Sequence, residues 1–93
     1  MSRQNDVAGT LRSRLESLAP SVLEIHDDSD QHVGHAGAAG GGRHFSVVIV
    51  SKAFSGLTRL ARHQKVLREI ADLLPHPVHA LHIKALTPEE FPT

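Results

Sequence analysis

"RHFSVVIVSKAF", residues 43–54, has the clearest strand pattern in this chain. Side chains at alternate positions point to opposite faces of a β-strand. One face here carries Phe45, Val47 and Ile49, and the other is also largely apolar beyond Ser46. A strand that is apolar on both faces is typical of the centre of a sheet. We therefore predict that this stretch is the central strand of a small sheet.

Two further alternating patterns predict the neighbouring strands. "SVLEIHD", residues 21–27, places Leu23 and Ile25 on one side, and we expect it to pair with the central strand as an antiparallel hairpin. "VHALHIKAL", residues 78–86, predicts the third strand. By strict alternation, its His79 falls on the same apolar face as Leu81, Ile83 and Ala85.

Apolar residues at helical spacing predict the helices. The first covers residues 6–19, with Asp6 as its cap and Pro20 ending it. The main helix lies within residues 56–74, and "TPEEF", residues 87–91, has the capping-box pattern of a short last helix. The predicted buried face of the main helix consists of Leu60, Leu67, Ile70 and Leu74, with Val66 and Ala71 at its edges. The order α-β-β-α-β-α predicts an α+β fold, with a three-stranded mixed sheet and helices packed on one face.

A glycine-rich segment, residues 29–43, joins the first two strands. Loops of this length are uncommon in compact domains and are usually functional or disordered. We predict a flexible loop that carries His32 and His35, and we expect residues 1–5 to be disordered. The whole chain, residues 1–93, is predicted to form a single domain.

The composition argues against several classes of protein. The chain has no cysteine, 8 histidines, and 10 cationic side chains balanced by 10 carboxylates. A neutral balance is unfavourable for nucleic-acid binding, and the lack of cysteine excludes disulfides and thiolate-only metal sites. The sequence shows no membrane-length apolar run and no signal peptide, so we predict a cytoplasmic chain without a membrane partner. It also lacks a recognisable nucleophile–base pair or phosphate loop, which predicts that the chain is not an enzyme.

Several motifs occur together in this chain. They are the His-Phe at residues 44–45, the "VSKAFSG" that follows at residues 50–56, the "RH" at residues 62–63, and "VHAL" followed by "TPEE". Together these motifs resemble the BolA family. The likeness extends over about residues 11–91. It implies a class II KH-like fold.

The resemblance also implies a function in iron–sulfur cluster trafficking or iron sensing with a monothiol glutaredoxin. In such a pair the glutaredoxin supplies a cysteine, glutathione supplies a second thiolate, and the BolA-like chain supplies imidazoles to a shared [2Fe–2S] cluster. The "VHAL" position is His79, and the position in "DDSDQH" is His32. The loop departs from shorter members by the extra "HAGAAGGG", so His35 competes with His32 for this role. Some relatives are also described as transcriptional regulators that contact DNA.

The chemistry of a shared site is consistent with this composition. Two histidines in place of two cysteines on one iron raise the reduction potential of a [2Fe–2S] cluster. Imidazole is neutral and a weaker ligand than thiolate, and protons compete for it near pH 6.5, which suits a cluster that is passed on. A chain without cysteine is expected to hold no such cluster in isolation, so a partner is required.

Simpler interpretations of the same histidines stay open. Without the family likeness, His79 is a packed, hydrogen-bonded strand residue. His32 and His35 are either solvated or bind a divalent metal weakly, since two imidazoles make an incomplete site. We assign His44 and His63 structural roles near the site.

A basic row on the main helix supports a second function. The row repeats every three residues and consists of Arg59, Arg62, Lys65 and Arg68. Such a row is usually a solvated face, but it is also suited to acidic partner residues or to DNA phosphates. Glu69 and Asp72 interrupt it, which weakens the nucleic-acid alternative.

Overall fold

A three-stranded sheet forms the centre of the structure, a computed structural model that describes residues 6–28 and 43–91. The strands are β1, Val22–Asp27; β2, Arg43–Val50; and β3, Val78–Leu86. They lie in the order β1-β2-β3, with β1 antiparallel and β3 parallel to β2. The predicted mixed sheet, the central position of β2 and the hairpin pairing are therefore confirmed.

Parts of the sequence prediction fall outside the described residues. These are the disorder expected for residues 1–5 and most of the predicted loop, residues 29–42, which includes His32 and His35. The last residue of the predicted loop, Arg43, is already part of β2 and pairs with β3.

Two helices connect and cover the strands. α1 spans Val7–Leu15 and α2 spans Arg59–Ile70, and each continues into a single 3₁₀ turn. The predicted cap is present, because the Asp6 carboxylate accepts a hydrogen bond from the Gly9 amide at 3.2 Å. The predicted last helix is a single 3₁₀ turn, Pro88–Glu90.

The core lies between the helices and one face of the sheet. Phe45, Val47 and Ile49 of β2 are almost completely buried, while Val48 on the opposite face is only half-buried. Both helices thus pack on one face, as predicted. The core residues contributed by other elements are Val7, Leu11, Leu15, Leu18, Phe54, Val66, Ile70 and Val78.

Ser51 connects the end of β2 to α1. Its side chain is buried, and its Oγ donates to the Leu18 carbonyl at 2.6 Å while accepting from the Ala53 amide at 3.0 Å. Because a buried hydroxyl needs a partner, a small polar side chain fits this corner better than an aliphatic one. The serine of "VSKAFSG" therefore fixes how the chain leaves the central strand.

The buried face of α2 differs from the predicted one. Val66 and Ile70 are fully buried, whereas Leu60 is 66% exposed. At 3.6 residues per turn, Leu60 lies about 100° around the helix from the midpoint of Val66 and Ile70. The prediction for Leu60 was wrong because it grouped apolar residues before the contact with the sheet had selected one face.

Because Ile70 is buried and Leu60 is exposed, truncating each side chain to alanine should lower the free energy of unfolding by different amounts. Ile70→Ala should lower the free energy of unfolding by about 2–5 kcal/mol, because it leaves a cavity in the core. The control Leu60→Ala should change it by less than about 0.5 kcal/mol. Urea denaturation measures both values, and equal costs would contradict the described packing of α2.

Candidate histidine site and basic groove

His79 is an extra residue in the pairing of β2 with β3. Arg43 pairs with Val78, and the next pair is His44 with Ala80, so the register shifts by one residue at His79. Val78 is fully buried, and His79 is exposed. A bulge of this kind breaks the alternation of faces. The prediction that His79 shares the apolar face of the strand was therefore wrong, and its imidazole is accessible.

A second histidine lies beside it. The ring centroids of His44 and His79 are 5.5 Å apart, and the rings are tilted by 54°. His44 is half-buried at the start of β2. The structure thus brings together two of the histidines singled out in the sequence, at the end of the sheet where β2 and β3 begin.

Both ends of the segment that carries His32 and His35 are fixed at this end of the sheet. The Asp28 amide donates to the His44 carbonyl at 2.8 Å, and the Ser46 hydroxyl donates to the Asp28 carboxylate. Arg43 forms an ion pair with Asp27 at 2.5 Å, and its guanidinium also lies over the Phe45 ring, 5.4 Å from the centroid. Residues 29–42 therefore leave and re-enter the described structure next to His44 and His79.

Potential metal ligands are sparse among the described residues. Within residues 6–28 and 43–91, no group of three histidine or carboxylate side chains is arranged to hold a metal ion. The sequence adds no cysteine. His79 offers one exposed imidazole, and a site that uses it needs ligands from elsewhere.

Arg62 has a structural position that the sequence did not reveal. Its guanidinium donates to the carbonyls of Leu57 and Ala85 at 3.0 and 3.1 Å, and to both carboxylate oxygens of Glu90 at 2.6 and 3.1 Å. Its side chain is only 14% exposed. Arg62 therefore joins α2 to β3 and to the last turn, which differs from the role in a binding row predicted for it. Arg59 and Arg68 are exposed and Lys65 is half-buried.

This network changes the acidity of Glu90. The hydrogen bond from Arg62, with a second from the Thr87 amide at 2.9 Å, lowers the pKa of Glu90 from 4.5 to about 2. The same pairing raises the pKa of Arg62. The predicted capping box of Thr87 and Glu90 is present, and it uses the carboxylate that also binds Arg62.

An open groove of about 700 Å³ lies between α2 and the end of β3. Its α2 side includes His63, so this histidine is in the groove, and neither His44 nor His79 lines it. Sequence patterns missed the groove because it depends on how α2 crosses β3. The residues that line it are Arg59, Arg62, His63, His82, Ile83, Lys84, Ala85, Leu86 and Glu90.

The arrangement of strands and helices agrees with comparisons to known proteins. The family model "BolA-like protein" matches residues 15–90. This chain belongs to the BolA family. Mouse BolA-like protein 1 is 42% identical to it over 86 residues, which cover 91% of this chain and 61% of the mouse protein. The chain therefore spans about three fifths of the length of that relative.

Two other relatives broaden the comparison. The solved BolA domain of SufE1 from Arabidopsis thaliana superposes with a TM-score of 0.80 at 39% identity, covering 94% of this BolA-like chain and 98% of the domain. A protein named DNA-binding transcriptional regulator BolA, from Vibrio cholerae, is 36% identical and covers 82% of this chain and 69% of its own length. The BolA fold, with the KH-like helix and strand order expected from the motifs, is thus confirmed.

No helix in the described part of the chain is long and apolar enough to cross a membrane. The cytoplasmic location and the absence of enzyme activity stay predictions.

The Glu90 pKa predicts a pH-dependent contribution to stability. A carboxyl whose folded pKa lies below its unfolded value stabilises the fold above pH 4.5, and this contribution is lost as the pH falls towards 2. Glu90→Gln should therefore lower the free energy of unfolding at pH 7, and its difference from wild type should shrink between pH 4.5 and 2. Glu89→Gln, at the exposed neighbouring carboxylate, serves as the control. Urea titrations across this pH range measure the effect, and a constant difference would contradict it.

Proposed function

We propose that this BolA-like chain pairs with a monothiol glutaredoxin and supplies imidazole ligands to a shared [2Fe–2S] cluster, for cluster trafficking or iron sensing. The observation that supports the proposal is the exposure of His79 at a bulge beside both fixed ends of the segment that carries His32 and His35.

The ligand set follows from the donors that each partner has. The glutaredoxin cysteine and glutathione each supply a thiolate ligand to the cluster, and His79 supplies one nitrogen ligand. His32 or His35 supplies the other. His32 follows Asp28 by four positions, and an extended chain spans at most about 14 Å over four steps. Chain length therefore limits how far from Asp28 a His32 ligand could bind.

His44 has a positioning role in this proposal. Its ring lies 5.5 Å from that of His79, and its carbonyl accepts the Asp28 hydrogen bond. The residue therefore holds one end of the ligand-bearing segment and limits the space open to the His79 ring. Since imidazole binds iron only when its nitrogen is unprotonated, acidification should weaken the shared cluster.

Reconstitution with the partner tests the proposal. Wild type and His79→Ala are each mixed with a monothiol glutaredoxin, iron, sulfide and glutathione, and visible spectra of the purified mixed complex are compared. His79→Ala should lose or shift the bands of the shared cluster, because a ligand atom is missing. His26→Ala, which removes an exposed imidazole from β1, should leave the spectrum unchanged.

Identical spectra for wild type and His79→Ala would overturn the assignment of His79. Size-exclusion chromatography without iron gives a separate result. If the two proteins form a full complex that iron does not strengthen, the chain acts as a scaffold and shares no cluster.

DNA binding is the second candidate function, favoured by the name of the Vibrio cholerae relative. Arg59, Lys65 and Arg68 on α2 are the side chains that support it, because Arg62 is engaged by Glu90. Binding to phosphates releases counterions from DNA, and added salt makes this release less favourable. The slope of log K against log salt concentration is therefore about −0.9 per phosphate contact.

Removing one contact from α2 checks this alternative. Arg68→Glu should weaken binding to duplex DNA. It should also reduce the magnitude of the slope of log K against log salt concentration by about 0.9, the value for one phosphate contact. Lys52→Glu, in the 3₁₀ turn after β2, provides the same charge change away from α2. Fluorescence anisotropy at several salt concentrations measures the slope, and undetectable binding at low salt would exclude the function.

A further inference from the structure

The outer edge of β3 has backbone groups that point away from the sheet. The Leu86 carbonyl accepts from the Ser51 amide at 2.9 Å, so Leu86 points towards the β2 side. Ala85, one residue earlier, points the other way, and its carbonyl accepts from Arg62. Because this direction alternates along a strand, the N–H and C=O of Ile83 also point outwards.

This edge has no neighbouring strand within residues 6–28 and 43–91, since β3 is the last strand in the sheet order. Arg62 donates to the outward carbonyl of Ala85, and Ile83 is the next outward-pointing residue along the strand. Ile83 also lines the groove beside α2, so a second chain has space next to it. An open edge with a groove beside it matches the site that an extended peptide uses when it adds a strand.

The charges around the groove select the kind of peptide. Arg59 and Lys84 line it as exposed cations, and His63 and His82 add imidazoles. Glu90 is the one carboxylate among the described lining residues, and Arg62 neutralises it. The remaining charge is positive, which is complementary to an acidic segment.

Lysine on an edge strand also has a protective role, because it discourages uncontrolled strand pairing. That protective role would account for Lys84 on β3 without any further cation nearby. Here a second element, α2, adds Arg59 across the groove, so cations from two elements and the apolar Ile83 line one cleft. Nucleic acid would use the same cations, but it would leave the outward N–H and C=O of Ile83 without the alternating partners that a peptide supplies.

We propose that the open edge of β3, at Ile83, binds an acidic, extended segment of a partner protein as an additional strand, with Arg59 and Lys84 selecting its charge. The proposal concerns a surface separate from His79 and does not depend on the shared cluster.

A short, blocked, fluorescent peptide of alternating valine and glutamate is the probe, and anisotropy with the full chain measures its binding. Replacing each glutamate by lysine should remove binding. Lys84→Glu and Arg59→Glu should each weaken it by about fivefold or more, since each replaces an attraction by a repulsion. Arg68→Glu, which makes the same charge change on α2 outside the groove, should have little effect.

Two N-methylated peptides distinguish strand addition from simple charge attraction. One carries methyl groups on one alternate set of amides, and the other carries them on the remaining set. Only one set faces β3 in an added strand, so one peptide should lose binding and the other should keep it. In ¹⁵N spectra of the protein, the Ile83 amide should shift and exchange its hydrogen more slowly when the parent peptide binds.

Three results would overturn the proposal. They are equal binding of the glutamate and lysine peptides, equal behaviour of the two N-methylated peptides, and an Ile83 amide that does not respond. If duplex DNA displaces the peptide and Arg68→Glu weakens binding of both as much as Arg59→Glu does, the groove belongs to a nucleic-acid surface instead.

Discussion

The pairing of β2 with a strand on each side is the constraint on which the rest of the structure depends. Phe45, Val47 and Ile49 occupy the buried face of β2, and both helices pack against that face. The antiparallel pairing to β1 brings Asp27 and Asp28 next to the start of β2. The parallel pairing to β3 brings the start of β3 to the same end, because parallel strands begin on the same side of a sheet. One central strand thus places His44, His79 and the ends of the 29–42 segment together.

β3 presents different chemistry at its two ends. At its start, the bulge exposes the imidazole of His79 beside His44. At its other end, Arg62 joins the strand to α2 and the last turn, and cations line the groove beside an open backbone edge. The two proposals place metal ligation and partner binding at different residues of β3. Each proposal is therefore open to mutation independently of the other.

The composition is consistent with the proposal that a cluster is shared with a partner. With no cysteine, the chain lacks the strongest ligands for an iron–sulfur cluster, and the described residues contain no three-donor group. A lone imidazole at the surface binds weakly and reversibly, which is a disadvantage for storage and an advantage for transfer. The likeness to other BolA proteins establishes the family and the fold.

The sequence by itself determined the features that depend on local patterns. Alternation identified the three strands. Asp6 and the "TPEE" box marked the starts of two helical elements, and the histidine motifs pointed to the BolA family. Those signals are local because each depends on the backbone geometry of a few consecutive residues.

Only the tertiary structure decided which side chains are accessible. His79 is exposed because the pairing of β3 with the distant β2 inserts a bulge, and no property of "VHAL" encodes that shift. Leu60 is exposed because the sheet selects another face of α2, and Arg62 is held by Glu90, which is 28 positions away in the sequence. Exposure, register and ion pairing all depend on contacts between separate elements, whereas periodicity describes one element at a time.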